Sequence, residues 1–204
     1  MGPVGFDLDM TLIDSRPAIM ASFAELARET ATPIDPAAVD GRLGIKLEEE
    51  VTYWFPPDQQ AAAVECYRRH YVRLAPQLTT LMPGARAALA AVRAAGERAV
   101  IITAKHPVSV EPSLRAVGLT ADEVFTHVHG PEKAAVLRRL NAAAYVGDSP
   151  PDMAAARAAG ARAVGVATGS FGASDLEHAG ADVVLDSLTG FPAWYRAAGQ
   201  GQGA

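Results

Sequence analysis

The sequence predicts an α/β fold: a parallel sheet with helices on both faces, and a small all-helical segment inserted after the first strand. Three observations predict it. From Pro83 onward, short apolar runs alternate with helical patterns, the order that builds parallel strands joined by crossover helices. Runs such as Ala99-Val100-Ile101-Ile102 and Ala144-Tyr145-Val146 are apolar at every position, not every second one, so both faces of the sheet are covered. Residues 16–80 contain no such run and read as helix alone.

Each element has its own signal. Val4-Gly5-Phe6 is a short apolar strand that gives out at Asp7 and Asp9. Ser15 stands as an N-cap with Pro17 in the first helical turn, and Ile19, Phe23, Leu26 and Ala27 recur on one helical face. Thr32-Pro33-Ile34-Asp35-Pro36 is a break. A second helix starts near Pro36 and stops before Gly41-Arg42-Leu43-Gly44, whose glycines mark a loop. A third runs from Leu47 to Trp54, closed by Pro56-Pro57, and a fourth from Asp58 to Leu74 with Val64, Tyr67, Tyr71 and Leu74 on one stripe. Trp54, Tyr67 and Tyr71 read as the core of this helical block.

Beyond Pro83, Ala85, Ala88, Leu89 and Val92 line a helix that Gly96 terminates in the left-handed conformation. Strands are expected at 98–103, 123–126, 143–147, 163–166 and 182–185, with helices ending before Gly118 and at 131–140, 151–159 and 173–179. Pro112 lacks a backbone donor and clashes with the Val108 carbonyl, which predicts a kink or a late start for its helix. The expected organisation is a core of residues 1–15 and 81–190, a helical insert of 16–80, and a Gly/Gln-rich tail, 197–204, that frays.

Composition narrows the function classes. With 204 residues, half of them hydrophobic, the chain can bury a full core. A net charge of -5 supplies no basic field for nucleic acid. Cys66 is the single cysteine, which excludes an intrachain disulfide and suits a reducing cytoplasm. No signal peptide is read at the N-terminus, and no stretch approaches the roughly 20 apolar residues of a membrane span. The expected setting is cytoplasmic, without nucleic-acid or membrane partners; oligomeric state is not legible.

The chemistry starts at Asp7-Leu8-Asp9-Met10-Thr11. Two carboxylates at a strand end can turn into one crevice, and burying both is costly unless a cation sits between them. Mg²⁺ suits such an all-oxygen site. Three later segments supply partners: Thr103 ends an apolar strand, Lys133 lies in the first turn of a helix, and Gly147-Asp148-Ser149-Pro150-Pro151-Asp152 closes another strand with acids. Ligands of such sheets bind at strand carboxyl ends, where Asp7, Thr103 and Asp148 all fall.

Asp-x-Asp-x-Thr, then Thr, Lys and Gly-Asp-x-x-x-Asp, in that order, resemble the four motifs of the haloacid dehalogenase-like hydrolase superfamily. The likeness implies a Rossmann-like core with a C1-type helical cap, as in phosphoglycolate phosphatases, haloacid dehalogenases and β-phosphoglucomutases. It makes Asp7 the nucleophile, Asp9 the general acid and base with its backbone carbonyl on the metal, Asp148 a Mg²⁺ ligand beside Asp7, and Asp152 a supporting carboxylate. Thr103 and Lys133 bind and neutralise the transferring phosphoryl group.

An acid at Asp9 favours phosphate esters, since halide release needs no proton. The function expected is Mg²⁺-dependent hydrolysis of a small phosphorylated metabolite, similar to phosphoglycolate. The alternatives are phosphoryl transfer of the β-phosphoglucomutase kind and a non-catalytic phospholigand-binding protein. Met10 stands where the family has Gly, the stretch from Thr103 to Lys133 is short, and the Pro common after the motif lysine is absent. Arg42 and Lys46, on the glycine loop, are candidate ligands for a second anionic group. Lys105 and His106 are candidate substrate contacts. His127-x-His129 is either a metal pair or a polar strand end, and lacks a third ligand.

Overall fold

The computed structural model describes residues 2–200. In chain order the elements are β1 (Val4–Phe6), β2 (Ile13–Asp14), α1 (Arg16–Thr30), α2 (Pro36–Asp40), α3 (Leu47–Glu50), a 3₁₀ turn at Val51–Tyr53, α4 (Pro57–Leu78), β3 (Thr80–Leu81), α5 (Ala85–Ala94), β4 (Ala99–Ile102) and α6 (Pro107–Val117). There follow β5 (Glu123–Phe125), α7 (Gly130–Leu140), β6 (Ala144–Gly147), α8 (Pro150–Ala159), β7 (Arg162–Val166), α9 (Ala173–His178), β8 (Val183–Leu185) and α10 (Phe191–Gln200).

Six strands form one sheet in the order β5-β4-β1-β6-β7-β8, and every pairing in it is parallel. All four residues of β4 and of β6 are buried, as continuous apolar strands in a doubly covered sheet should be. On one face Phe6, Leu89, Ile101 and Val164 pack under Phe191; on the other Val100, Ile102, Leu137, Tyr145 and Met153 form a second core. Gly5 lets these layers close, because a Cβ there would lie 2.8 Å from Tyr145 and 3.0 Å from Leu137. Gly96 ends the α5 segment at φ +78°, as expected.

Helices α1–α4 have a separate core, built on Phe23, Leu26, Val51, Phe55, Tyr67 and Tyr71, with Trp54 partly buried against it. The chain enters and leaves this block through β2 and β3, which pair antiparallel with Ile13 opposite Leu81. The two connections run side by side, and α4 also packs on α6, where Tyr71 OH meets Ser113 Oγ at 3.0 Å. Pattern reading did not find β2 and β3, because two-residue strands carry no periodicity.

Several local expectations are corrected. Ser15 occupies the cap position of α1 but makes no capping bond; its hydroxyl is used elsewhere, as described below. Pro112 does not delay α6, which begins at Pro107, where His106 Nδ1 accepts the Val108 N–H at 3.3 Å. The tail expected to fray from Ala197 is helical through Gln200, and 201–204 lie outside the described residues. α10 itself was not anticipated; it closes the sheet because Phe191 packs at a tilt against Phe6, with ring centres 5.3 Å apart, and stacks on Tyr195 at 5.4 Å. No helix among the described residues is long and apolar enough to cross a membrane.

Phe191 is fully buried, so truncating it leaves a cavity under β1. Phe191→Ala is expected to cost about 3–5 kcal/mol, read as a lowered urea midpoint with unchanged m-value.

Candidate active site

The three central strands β4, β1 and β6 end side by side, and the residues that follow them are Thr103, Asp7 and Asp148. The crevice at this edge holds a cavity of about 510 Å³ lined from the sheet side by Asp7, Asp9, Thr103, Lys133, Asp148 and Asp152. From the helical block it is lined by residues that include Phe23, Arg42, Lys46, Tyr67 and Tyr71. A substrate in this space therefore touches both layers.

Lys133, in the first turn of α7, reaches into the crevice and donates to Asp7 Oδ1 at 3.0 Å and to Asp152 Oδ1 at 2.7 Å. It is almost completely buried. Burial works against its charge, but Asp152 and Asp7 outweigh that and hold its pKa well above the usual lysine range. Asp152, 1 % exposed, is also fixed by the Ser149 hydroxyl at 2.5 Å. Asp148 accepts from Thr11 Oγ1 at 3.0 Å.

Two glycines make this crowding possible. A Cβ on Gly147 would stand 2.5 Å from Asp152 Cβ, and one on Gly169 only 1.9 Å from Asp148 Oδ2. The backbone approaches both carboxylates as closely as glycine allows.

One carboxylate oxygen from each of Asp7, Asp148 and Asp152 lies within 4.8 Å of the others. The one buried lysine bonds two of these three carboxylates, Asp7 and Asp152, and the charges do not balance. Burial pushes the Asp7 carboxyl up to about 7, relieved in part by Lys133 and aggravated by Asp152 and Asp9. Asp148 is raised well above the carboxylate range by burial and by Asp152 and Asp7. A divalent cation among these oxygens would remove the mismatch, so the donor set fits a hard, oxygen-preferring ion.

Asp9 is placed differently. Its carboxylate faces the crevice but Oδ1 is taken by Ser15 Oγ at 2.5 Å and Lys105 Nζ at 2.7 Å, so the side chain stands apart from the group of three. The Lys105 ammonium lies 4.4 Å from the centre of the Tyr71 ring on α4; burial opposes its charge, while Asp9 and Tyr71 raise its pKa. Lys105, a candidate substrate contact, lines the cavity and is paired there with Asp9. Ser15, Thr11 and Tyr71 were not anticipated in these roles, since a hydroxyl's partner across the fold leaves no trace in local pattern.

The other candidates divide. Arg42 is bound by Glu50 through Nε at 2.8 Å and Nη2 at 2.7 Å, and its guanidinium lies 4.3 Å from the Tyr53 ring. Glu50 also accepts from Trp54 Nε1 at 2.8 Å, so Arg42 serves as a loop fastener. Lys46 lines the crevice and makes no ion pair among the described residues. His106, His127 and His129 stack edge to face along one wall, with ring centres 5.5 and 5.1 Å apart. His127 and His129 lie beyond the end of β5, not on a strand, and they join no metal-ligand group among the described residues. Met10 adopts φ +60°, the conformation for which glycine is the easier residue.

A family model described as haloacid dehalogenase-like hydrolase matches residues 4–166. The chain belongs to that family. It is 32% identical over 207 residues to the protein named "Phosphoglycolate phosphatase, plasmid" from Cupriavidus necator, covering 92% of this chain and 90% of the relative. It is 34% identical over 213 residues to a phosphoglycolate phosphatase from Chromobacterium violaceum, covering 91% and 92%. Among solved structures, a hydrolase from Pseudomonas syringae superposes with a TM-score of 0.79 at 23% identity over 98% of this chain and 99% of that one. A haloacid dehalogenase-like family hydrolase from Streptococcus pneumoniae superposes at 0.81 with 22% identity, over 95% and 97%. These two establish the fold; the sequence relatives and the family model make the chain an enzyme, a phosphatase-type hydrolase.

The raised Asp7 value carries a linkage consequence. Its folded pKa of about 7 lies above its ordinary 3.8, so without a cation the folded state holds the extra proton and this group's contribution to stability falls as pH rises from about 4 to about 7. A bound cation displaces that proton. Millimolar divalent cation is therefore expected to raise the melting temperature more at pH 8 than at pH 5, read by thermal shift; an equal rise at both would count against the site.

Proposed function

We propose that this chain is a magnesium-dependent phosphatase that hydrolyses a small phosphate monoester through a phosphorylated Asp7, with phosphoglycolate as the model substrate. The observation that carries this reading is the placement of Asp7. It ends the central strand, bonds the buried Lys133 and stands with Asp148 and Asp152 in one cavity shared with Asp9. The names of the sequence relatives supply the substrate class.

Mg²⁺ would be held by the carboxylates of Asp7 and Asp148 and the backbone carbonyl of Asp9, with Asp152 fixing the surrounding geometry. The chemistry such an ion supplies is neutralisation of charge on the carboxylates and on the phosphoryl oxygens.

The residues of the chain do the rest. An Asp7 carboxylate oxygen attacks phosphorus as the bond to the leaving oxygen breaks, and Asp9 gives that oxygen its proton. Asp9 then takes a proton from water, whose oxygen attacks the same phosphorus and returns Asp7 to its carboxylate. Lys133 offsets the negative charge that gathers on the transferring group, in a site where little water dilutes the interaction. Thr103 Oγ1 accepts the Lys105 N–H at 3.1 Å, which leaves its hydroxyl proton free to donate to a phosphoryl oxygen. The helical block of residues 16–80 acts as the cap that closes over this chemistry and excludes bulk water.

The test is turnover of p-nitrophenyl phosphate with and without Mg²⁺. Asp7→Asn is expected to reduce kcat by about a thousand-fold or more, and chelation should abolish turnover until Mg²⁺ is restored. Unchanged rates in the variant would end the reading. Lys133→Met should lose about a hundred-fold or more in kcat.

A further inference from the structure

The helical block carries a second group of ligand-type side chains, which the phosphatase chemistry does not use. Glu29 lies in the last turn of α1, and Cys66 and His70 stand four residues apart on α4. Residues at that separation share one helix face, and it is the spacing by which a helix offers two ligands to one ion. One donor atom from each of the three lies within 4.8 Å of the other two. Cys66 and His70 are buried while Glu29 is exposed, so the group opens to solvent on one side. None of the three lines the crevice. Glu25, one turn before Glu29, is already bonded by Arg28 at 3.1 and 2.8 Å and takes no part.

Protons and a guanidinium now fill the space between these donors. His70 Nε2 lies 2.8 Å from Glu29 Oε2, and because an ionised carboxylate only accepts, the ring nitrogen donates. Arg73 Nη2 then donates to His70 Nδ1 at 3.3 Å. The decisive contact is made by Arg69. A single nitrogen, Nη2, bonds Glu29 Oε1 and also meets Cys66 Sγ at 3.4 Å. A positively charged nitrogen thus stands between the oxygen and the sulfur, at a place where the fold already draws a cation. The Arg69 side chain is 61% exposed and Arg73 is exposed as well, so both arms can turn into water. Ion pairs of such exposure hold weakly.

We propose that Glu29, Cys66 and His70 form a zinc site that ties α1 to α4, with Arg69 the cation that gives way to the metal. The donor set selects the ion. A thiolate and an imidazole suit Zn²⁺, whereas Mg²⁺ takes oxygen ligands and would pass this group for the carboxylates of the crevice. Tetrahedral zinc sets its donors about 3.3–3.8 Å apart, a spacing that side-chain rotation can reach from the present 4.8 Å or less. On binding, the Cys66 thiol gives its proton to solvent. His70 carries its one proton on Nδ1, which leaves Nε2 for the metal. Thiolate and carboxylate then match the two charges of the ion, and a water takes the fourth position. The helices so joined are the ones that present Phe23, Tyr67 and Tyr71 to the crevice.

Co²⁺ in place of Zn²⁺ reports this site directly, because a sulfur-to-cobalt charge-transfer band needs a thiolate and Cys66 is the single cysteine. With excess Mg²⁺ present to occupy the crevice, the full chain should develop that band on addition of about one equivalent of Co²⁺, and about one equivalent of Zn²⁺ should bleach it. Cys66→Ser should abolish the band. His70→Gln and Glu29→Gln should each weaken Zn²⁺ binding by about 10-fold or more, and Glu29, being exposed, can be changed without disturbing the core. Arg69→Ala removes the competing cation and should tighten Zn²⁺ binding by about 2- to 5-fold. No band in the wild type overturns the assignment. So does a band with undiminished Zn²⁺ affinity in both His70→Gln and Glu29→Gln, which marks a lone thiol adduct, and so does weaker Zn²⁺ binding in Arg69→Ala. Each of these outcomes leaves the phosphatase reading where it was, since the readout is the metal at sulfur and not turnover.

Discussion

The structure depends on one buried ammonium. Lys133 stands between Asp7 and Asp152 at 3.0 and 2.7 Å, and both it and Asp152 are almost completely buried. A lone ion in such a place would shift its pKa and neutralise. Lys133 keeps its charge because Asp152 and Asp7 outweigh the cost of its burial. This pairing also ties β1, α7 and α8 to one point, since Asp7 ends the first, Lys133 lies in the opening turn of the second and Asp152 in that of the third. The fold's central strand and the helices on one of its faces are locked by the same contact that arms the crevice.

The arrangement is left short of positive charge. Three carboxylates have oxygens within 4.8 Å of one another, and one lysine bonds two of them; Asp7 and Asp148 respond with raised pKa values. A well-packed core would not keep such a debt without a use. The glycines at 147 and 169, each too close to a carboxylate to admit a Cβ, show that the backbone is shaped to sustain the crowding, not merely to tolerate it. Instability concentrated at the end of a rigid sheet is how a folded protein prepares a site for an ion or a substrate.

The helical block reaches the same crevice by a different route. Tyr71, buried in the core of α1–α4, puts its ring over Lys105, and Lys105 holds Asp9. A contact within the block thus touches the proposed proton donor through a single side chain. The block's connections run through the short β2–β3 pair, and Tyr71 further shares a hydroxyl contact of 3.0 Å with Ser113 on α6. Position of the block and orientation of Asp9 are therefore mechanically linked.

By itself the sequence determined the six strands of the parallel sheet and the helices between them, but not β2, β3 or α10. Continuous apolar runs specified buried parallel strands, and the strand-end positions of Asp7, Thr103 and Asp148 followed, because alternation and periodicity are local properties that survive without coordinates. The motif lysine and acids were legible for the same reason, each being anchored to a strand end or a first helical turn. What only the tertiary structure decided is which groups spend their charge on one another. Lys105 and Ser15 turn to Asp9, Thr11 to Asp148 and Arg42 to Glu50, while His129 Nε2 is buried without a hydrogen-bond partner. Those assignments join residues as many as 137 positions apart, and a side chain's free partners are set by what packs around it in space, a quantity that no local pattern in the chain encodes.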